Sequence, residues 1–189
     1  MNNKNTATKL NLTRQNARAT LSQLIGEDTV KRLLERSNWR GTWALLTCWG
    51  MIALSMVAIV WAQSQAIYIA IPVIIFSVLI IAGRQLGLSI LMHEASHRSL
   101  FKTPWLNDYL ADWLTGRFIF VDVSRYRKHH MVHHTNTGTE NDNDYSLVKD
   151  FPTTRVSLAR KVVRDLTGIT GLKMLVGLSL MNAGYLKWT

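Results

Sequence analysis

Several things are scarce in this sequence, and each scarcity excludes something. Of 189 residues one is a cysteine, Cys48. A lone thiol excludes an intrachain disulfide and a cysteine-built zinc site. Charge is missing from residues 41–83, between Arg40 and Arg84, where no Asp, Glu, Lys or Arg occurs. The first 40 residues are polar and charged, and the apolar run starts too late for a cleavable secretory signal. There is no internal repeat and no low-complexity tract. Acids are outnumbered by bases, 12 to 22, for a formal charge of +10. Such a charge suits nucleic acid or a membrane surface. No nucleic-acid motif accompanies it, so no nucleic-acid partner is expected. Histidine is absent from residues 1–92 and from 135–189.

The uncharged run is the first thing to place. Crossing the hydrocarbon core takes roughly 20 apolar residues, so residues 41–83 are about two spans. Trp43–Ala62 is the first. The second starts at Ala66, with Gln63-Ser64-Gln65 as the polar turn between them. A buried hairpin of a soluble protein would show the same run, but a chain this short has little else to cover it. Lys31, Arg32, Arg36 and Arg40 precede the first span, and the turn carries no charge. The positive-inside rule then puts the N-terminus in the cytoplasm and returns the second span to that side. Pro72 predicts a kink, which membrane helices tolerate.

The second span has no stop at Gly83 and stays helix-compatible through Met92. From Ala66 to His97 a helix would measure about 48 Å, against a core of roughly 30 Å. Its end should emerge from the membrane carrying His93 and His97, which are four apart and share one face.

Amphipathic pieces surround these spans. Residues 1–19 show no apolar period and are expected to be a disordered cytoplasmic lead. Leu21, Leu24, Ile25, Val30, Leu33 and Leu34 recur at helical spacing, with Asp28 or Thr29 as a cap. Thr103-Pro104 reads as a helix start. Trp105, Leu106, Tyr109, Leu110, Trp113, Leu114 and Phe118 then form one stripe, with Asn107, Asp108, Asp112 and Thr115 opposite. This pattern predicts a helix in the membrane interface. Residues 154–166 set Val156, Val162, Val163 and Leu166 against Arg155, Arg160, Lys161 and Arg164, a basic surface helix. The glycine-containing apolar run 166–186 predicts a third span. The expected class is an all-α integral membrane protein, with spans at about 43–62 and 66–92, a third at about 166–186, and a membrane domain over 20–189.

All six histidines fall in two clusters, His93-Glu94-Ala95-Ser96-His97 and His129-His130-Met131-Val132-His133-His134. Imidazole ligates iron, zinc and copper. On a helix, His130, His133 and His134 lie on adjoining faces. Five or six imidazoles exceed the needs of one zinc, which takes three or four protein ligands, and suit two metals. Asp142 and Asp144 could orient ligating rings from outside. Two other readings stand beside this one. His93-Glu94-Ala95-Ser96-His97 satisfies the His-Glu-x-x-His zinc protease pattern, with Glu94 as general base. Glu94-x-x-His97 is also half of a carboxylate di-iron signature, but no second half occurs.

His93-x-x-x-His97 and His130-x-x-His133-His134 together resemble the first two histidine boxes of the membrane fatty acid desaturase and hydroxylase family. Asn107-Asp108, Tyr126-Arg127 and the Thr137-Gly138-Thr139-Glu140 loop resemble its bacterial members. The resemblance covers residues 40–189. It implies iron ligation by His93, His97, His130, His133 and His134, with His129 outside the box pattern. It implies two iron ions, dioxygen as co-substrate and a site on the cytoplasmic face of a bacterial inner membrane. The substrate would be a membrane lipid or acyl chain, desaturated or, alternatively, hydroxylated as a lipid or carotenoid. With no haem or ferredoxin-like domain visible, electrons would come from an external ferredoxin or cytochrome. The family has a third box, and no histidine follows His134. The expectation is an N-terminal portion of a longer enzyme, inactive alone.

Overall fold

The computed structural model describes residues 19–186. The expected disordered lead lies outside the described residues, apart from its last position. Among the described residues every regular element is helical. The chain divides into two compact units, Met1–Arg36 and Ser37–Thr189.

In the first unit, α1 runs over 19–25 and α2 over Glu27–Leu33. Gly26 separates them with φ 82, a conformation glycine adopts without penalty. Gly26 therefore occupies the N-cap of α2, and neither Asp28 nor Thr29 caps it. Glu27 and Asp28 instead occupy the first turn and Lys31 and Arg32 the last, the arrangement the helix dipole favours.

The second unit opens with a helical hairpin. α3 spans Asn38–Ala62, capped by the Ser37 hydroxyl, which accepts the Arg40 N–H. α4 spans Ile67–Ser96 and passes through Pro72. Both are long and apolar enough to cross a membrane. Where they face one another the buried side chains are mostly small: Cys48, Ser55 and Ala62 on α3, Ala70 and Ser77 on α4. The Cys48 thiol donates to Arg84 O at 3.3 Å. Their other faces leave Leu54, Val57, Phe76 and Leu79 exposed, as lipid contact requires. At 30 residues α4 is about 45 Å long, so it outruns the hydrocarbon core and carries its last turns past one face.

The interface stripe forms a helix of unusual winding. Leu106–Leu110 and Asp112–Gly116 are π-helical, and Arg117–Ile119 closes as a 3₁₀ turn. The wider i→i+5 turn shifts which residues share a face. Asn107, Asp112 and Thr115 are buried, while Trp105, Tyr109, Trp113 and Phe118 are exposed. The polar residues and Leu106, Leu110 and Leu114 thus face the protein, and the aromatic side faces away. An outward aromatic side suits a segment bordered by lipid.

Beyond it lie α5 (Val123–Asn136), α6 (Tyr145–Val148), α7 (Arg155–Leu166) and α8 (Ile169–Asn182). α7 is the expected basic amphipathic helix, with Val156, Val162, Val163 and Leu166 exposed. The run predicted as a third span begins on the last residue of α7 and is otherwise helical over the 14 residues of α8. That is about 21 Å, too short to cross. Gly168 (φ 76) and Gly184 (φ 84) bound it. One core joins the hairpin to the rest, built from Leu45, Met92, Ala95, Phe101, Ala111, Val121 and Val123.

Candidate metal centre

The loop leaving α4 is built to hold the helix end in place. His97 caps α4, and Arg98 turns the chain with φ 55, uncommon for a residue with a side chain. Phe101 then plugs the core, fully buried. Asn107 staples this loop. Its Oδ1 accepts Phe101 N at 3.0 Å, and its Nδ2 donates to Phe101 O at 2.9 Å and Thr103 O at 3.1 Å. Asn38, at the start of α3, donates to the Thr103 hydroxyl and accepts its N–H. Trp49 Nε1 donates to Leu114 O at 2.9 Å, tying α3 to the interface segment.

The start of α5 is fixed as firmly. Asp122 is its N-cap, accepting from Ser124 N and Arg125 N at 2.9 Å each. Burial pushes the Asp122 carboxyl up, but the Arg125 and Ser124 hydrogen bonds and the Arg117 charge outweigh this and hold it below its usual range. Buried Asp112 accepts Val123 N at 2.8 Å and Arg117 Nε at 2.8 Å.

These supports bring the two histidine clusters together. His93, His97, His130 and His134 present ligand atoms that all lie within 4.8 Å of one another. Nε2 of His130 faces Nε2 of His97 at 3.0 Å and Nε2 of His134 at 3.0 Å. One ring nitrogen has a single lone pair or a single proton in its plane. It cannot make two good hydrogen bonds there. A shared cation satisfies all three nitrogens. With metal–nitrogen bonds of about 2.1 Å, two donors at right angles lie about 3.0 Å apart, which is the spacing found. The donor set therefore fits a metal ion, and a purely imidazole set suits iron, zinc or copper.

The electrostatics agree. Burial and the surrounding imidazoles of His93, His134, His97 and His133 push His130 down to about 4. Burial and the imidazoles of His93 and His134 also lower His97, against the opposing charge of Glu94. Both rings are neutral at pH 7, the form that ligates metal. Tyr126 stacks on His130, with centroids 5.0 Å apart.

His133 takes a different direction. Its Nδ1 donates to Asp142 Oδ1 at 2.7 Å and lies 3.6 Å from Asp144 Oδ2. This hydrogen bond raises His133 and holds Asp142 near 2. Asp142 is itself fixed by the N–H groups of Gly138 and Asp144. His133, Asp142 and Asp144 thus form a second group beside the four. His129 belongs to neither point of convergence. It sits 3.5 Å from Asp144 and receives Asn143 Nδ2 at its carbonyl. Glu94 lies within 3.2 Å of His93 Nδ1 and accepts the Ser99 hydroxyl at 2.7 Å. The third and fourth groups facing His93 and His97 are imidazoles from α5, not carboxylates.

Sequence reasoning passed over Asn107 as a core residue, Asp112, and Arg127. The motif pairs Asn107-Asp108 and Tyr126-Arg127 pointed to two of these without assigning a role. An apolar groove of about 440 Å³ lies between α3 and α4 around Ser55, Pro72 and Ser77. Ser77 is about 24 Å along α4 from His93, so the groove is not part of this centre.

A helical hairpin of membrane length, with four imidazoles pooled at the end of its second helix, is the arrangement of a histidine-rich membrane protein able to hold a metal ion. The chain belongs to the fatty acid desaturase family, whose model matches residues 69–188 and so includes both clusters. No curated protein and no solved structure matches it.

Proposed function

We propose that this chain builds the iron site of an oxygen-dependent acyl-lipid desaturase. The convergence of His93, His97, His130 and His134 inside the family segment carries the reading. A second iron would take His133, whose Nδ1–H is committed to Asp142 and whose Nε2 is therefore the ligating nitrogen. Iron at these residues would let dioxygen, with two electrons and two protons from an external ferredoxin or cytochrome, take two hydrogens from –CH2–CH2–, leaving –CH=CH– and two waters.

The protein's part is placement. Tyr126 orients His130 by stacking. The core of Met92, Ala95, Phe101 and Val123 keeps water from the inner side of the cluster. The exposed aromatic side of the interface segment gives an acyl chain an apolar approach from the bilayer. The basic residues before α3 support a cytoplasmic orientation for this face, and the membrane of this proposal is a bacterial inner membrane. Hydroxylation of the same class of substrate is the nearest variant of this chemistry.

Metal analysis of the purified chain tests the reading. Iron should bind stoichiometrically and be lost in His130→Ala. Deleting the gene in its native host should lower the oxygen-dependent unsaturation of membrane acyl chains. Stoichiometric zinc, with peptide hydrolysis abolished by Glu94→Gln, would replace the desaturase reading with that of a protease.

A further inference from the structure

The two histidine helices are joined by a side chain that is not itself a ligand. Arg127 lies on α5 one turn before His130, and residues three apart share a helix face. Its guanidinium reaches the end of α4. Nε donates to Ser96 O at 2.6 Å, and Nη2 donates to Ala95 O at 3.1 Å. Ala95 and Ser96 are two of the three residues between His93 and His97. The last carbonyls of a helix lack partners within it and carry its negative end, so a cation is favoured there. Ala95 O also accepts Arg98 N.

The guanidinium is itself held. Nη2 of Arg127 donates to Asp108 Oδ1 at 2.6 Å, and Arg98 grips the same carboxylate through Nε and Nη2 at 3.2 and 2.8 Å. Burial pushes the Asp108 carboxyl up, but the two arginines outweigh it and keep it ionised. Asp108 thus anchors both the cation from α5 and the left-handed turn that follows α4. Arg127 is largely covered, with its side chain 21% exposed.

We infer that Arg127, anchored by Asp108, is a positioning residue that sets the register of α5 on α4. It assembles the four-histidine site before metal arrives. This rests on the reading that those histidines hold a metal. Lysine is a poor replacement, because one ammonium lacks the planar fork that spans two carbonyls and a carboxylate.

The test uses the full chain in nanodiscs and Co(II) as the probe. Co(II) gives visible bands whose position and strength report its ligand geometry. Arg127→Met should weaken Co(II) binding by about 10- to 100-fold, the usual effect of losing a group that orients ligands, and should alter the bands. Arg127→Lys should recover only part of this. Asp108→Asn should weaken binding, and the double variant Arg127→Met/Asp108→Asn should bind no worse than Arg127→Met within about twofold, since both act in one network. Helix content by circular dichroism should stay at the wild-type value. Hydrogen exchange of the α5 amides in metal-free protein is the second readout, and it should quicken in Arg127→Met. Wild-type Co(II) affinity and bands in Arg127→Met, or unchanged α5 exchange, would overturn the inference. If the wild type binds no Co(II) while α5 exchange still quickens in the variant, the metal reading fails and the register role of Arg127 stands.

Discussion

Asn107 offers the sharpest test of how the first histidine box is held. The residue is fully buried and next to the equally buried Phe101. Asn107→Ala would remove the partners of Phe101 N and Phe101 O. Thr103 O would keep its bond from Leu106 N, so two backbone groups are orphaned rather than three. Each buried orphan costs about 1–3 kcal/mol; at about 1.5 kcal/mol each, toward the low end of that range, the two together cost about 3 kcal/mol. For a chain of this size 1 kcal/mol moves the midpoint by about 2–4 °C. The expected fall is therefore about 6–12 °C, read by tryptophan fluorescence during thermal unfolding in detergent. Asn107→Asp should fare little better. It can still accept from Phe101 N, but it turns a carboxylate oxygen toward Phe101 O where the amide donated. A midpoint within 2 °C of wild type in both variants would refute the claim that Asn107 supports the loop between the clusters.

Gly41 approaches Leu100 O so closely that a Cβ would clash with it, and would also meet Phe101 Cδ1 at 2.7 Å. Gly41→Ala should therefore cost about 1–3 kcal/mol by overpacking, whereas Gly50→Ala, which meets nothing within 4 Å, should not lower the thermal midpoint. Asp122→Ala should cost about 1 kcal/mol as a lost N-cap. Because the folded Asp122 carboxyl is held below its ordinary value of about 3.9, its contribution is present above that pH and fades as acid protonates it; an acid melt should show the wild-type advantage shrinking only below about pH 4. His134→Ala should abolish the four-nitrogen Co(II) spectrum, while His133→Ala should leave Co(II) affinity within a few-fold of wild type; equal losses would contradict the division of the cluster. A variant whose sole tryptophan is Trp113 should be quenched by lipids brominated near the headgroup, and quenching equal to that in water would place the interface segment away from the bilayer.

The spans were legible because they depend on a property one can count. Forty-three uncharged residues need an apolar surrounding whatever their neighbours are, and the length of α4 follows from the lack of any stop signal before His93. The other helices were harder for a physical reason. The period of apolar residues identifies two faces of the interface segment, but not which of them meets the protein. Asn107, Asp112 and Thr115 went inward together with Leu106, Leu110 and Leu114, and the aromatic residues stayed outside. The apolar run at 166–186 misled for a related reason. Hydropathy alone cannot register that Gly168 and Gly184 take positive φ and cut the helix to 14 residues.

The metal centre divides along the same line. Spacing grouped five imidazoles on two segments and treated His130, His133 and His134 as one set, whereas four converge and His133 stands with Asp142 and Asp144. At about 100° per residue, His134 returns to within about 40° of His130, while His133 stands about 60° to the other side. His130 and His134 therefore both reach His97, the first by a ring nitrogen and the second by a ring contact, and His133 turns to the loop, where Asp142 receives it. That outcome depends on the rotation of α5 about its own axis, which no local pattern reports. The rotation is set by contacts far from the motif in sequence: the Asp112 carboxylate on Val123 N, and Arg127 on the carbonyls of Ala95 and Ser96. A box motif thus names the imidazoles, and the buried polar residues around it decide which of them converge.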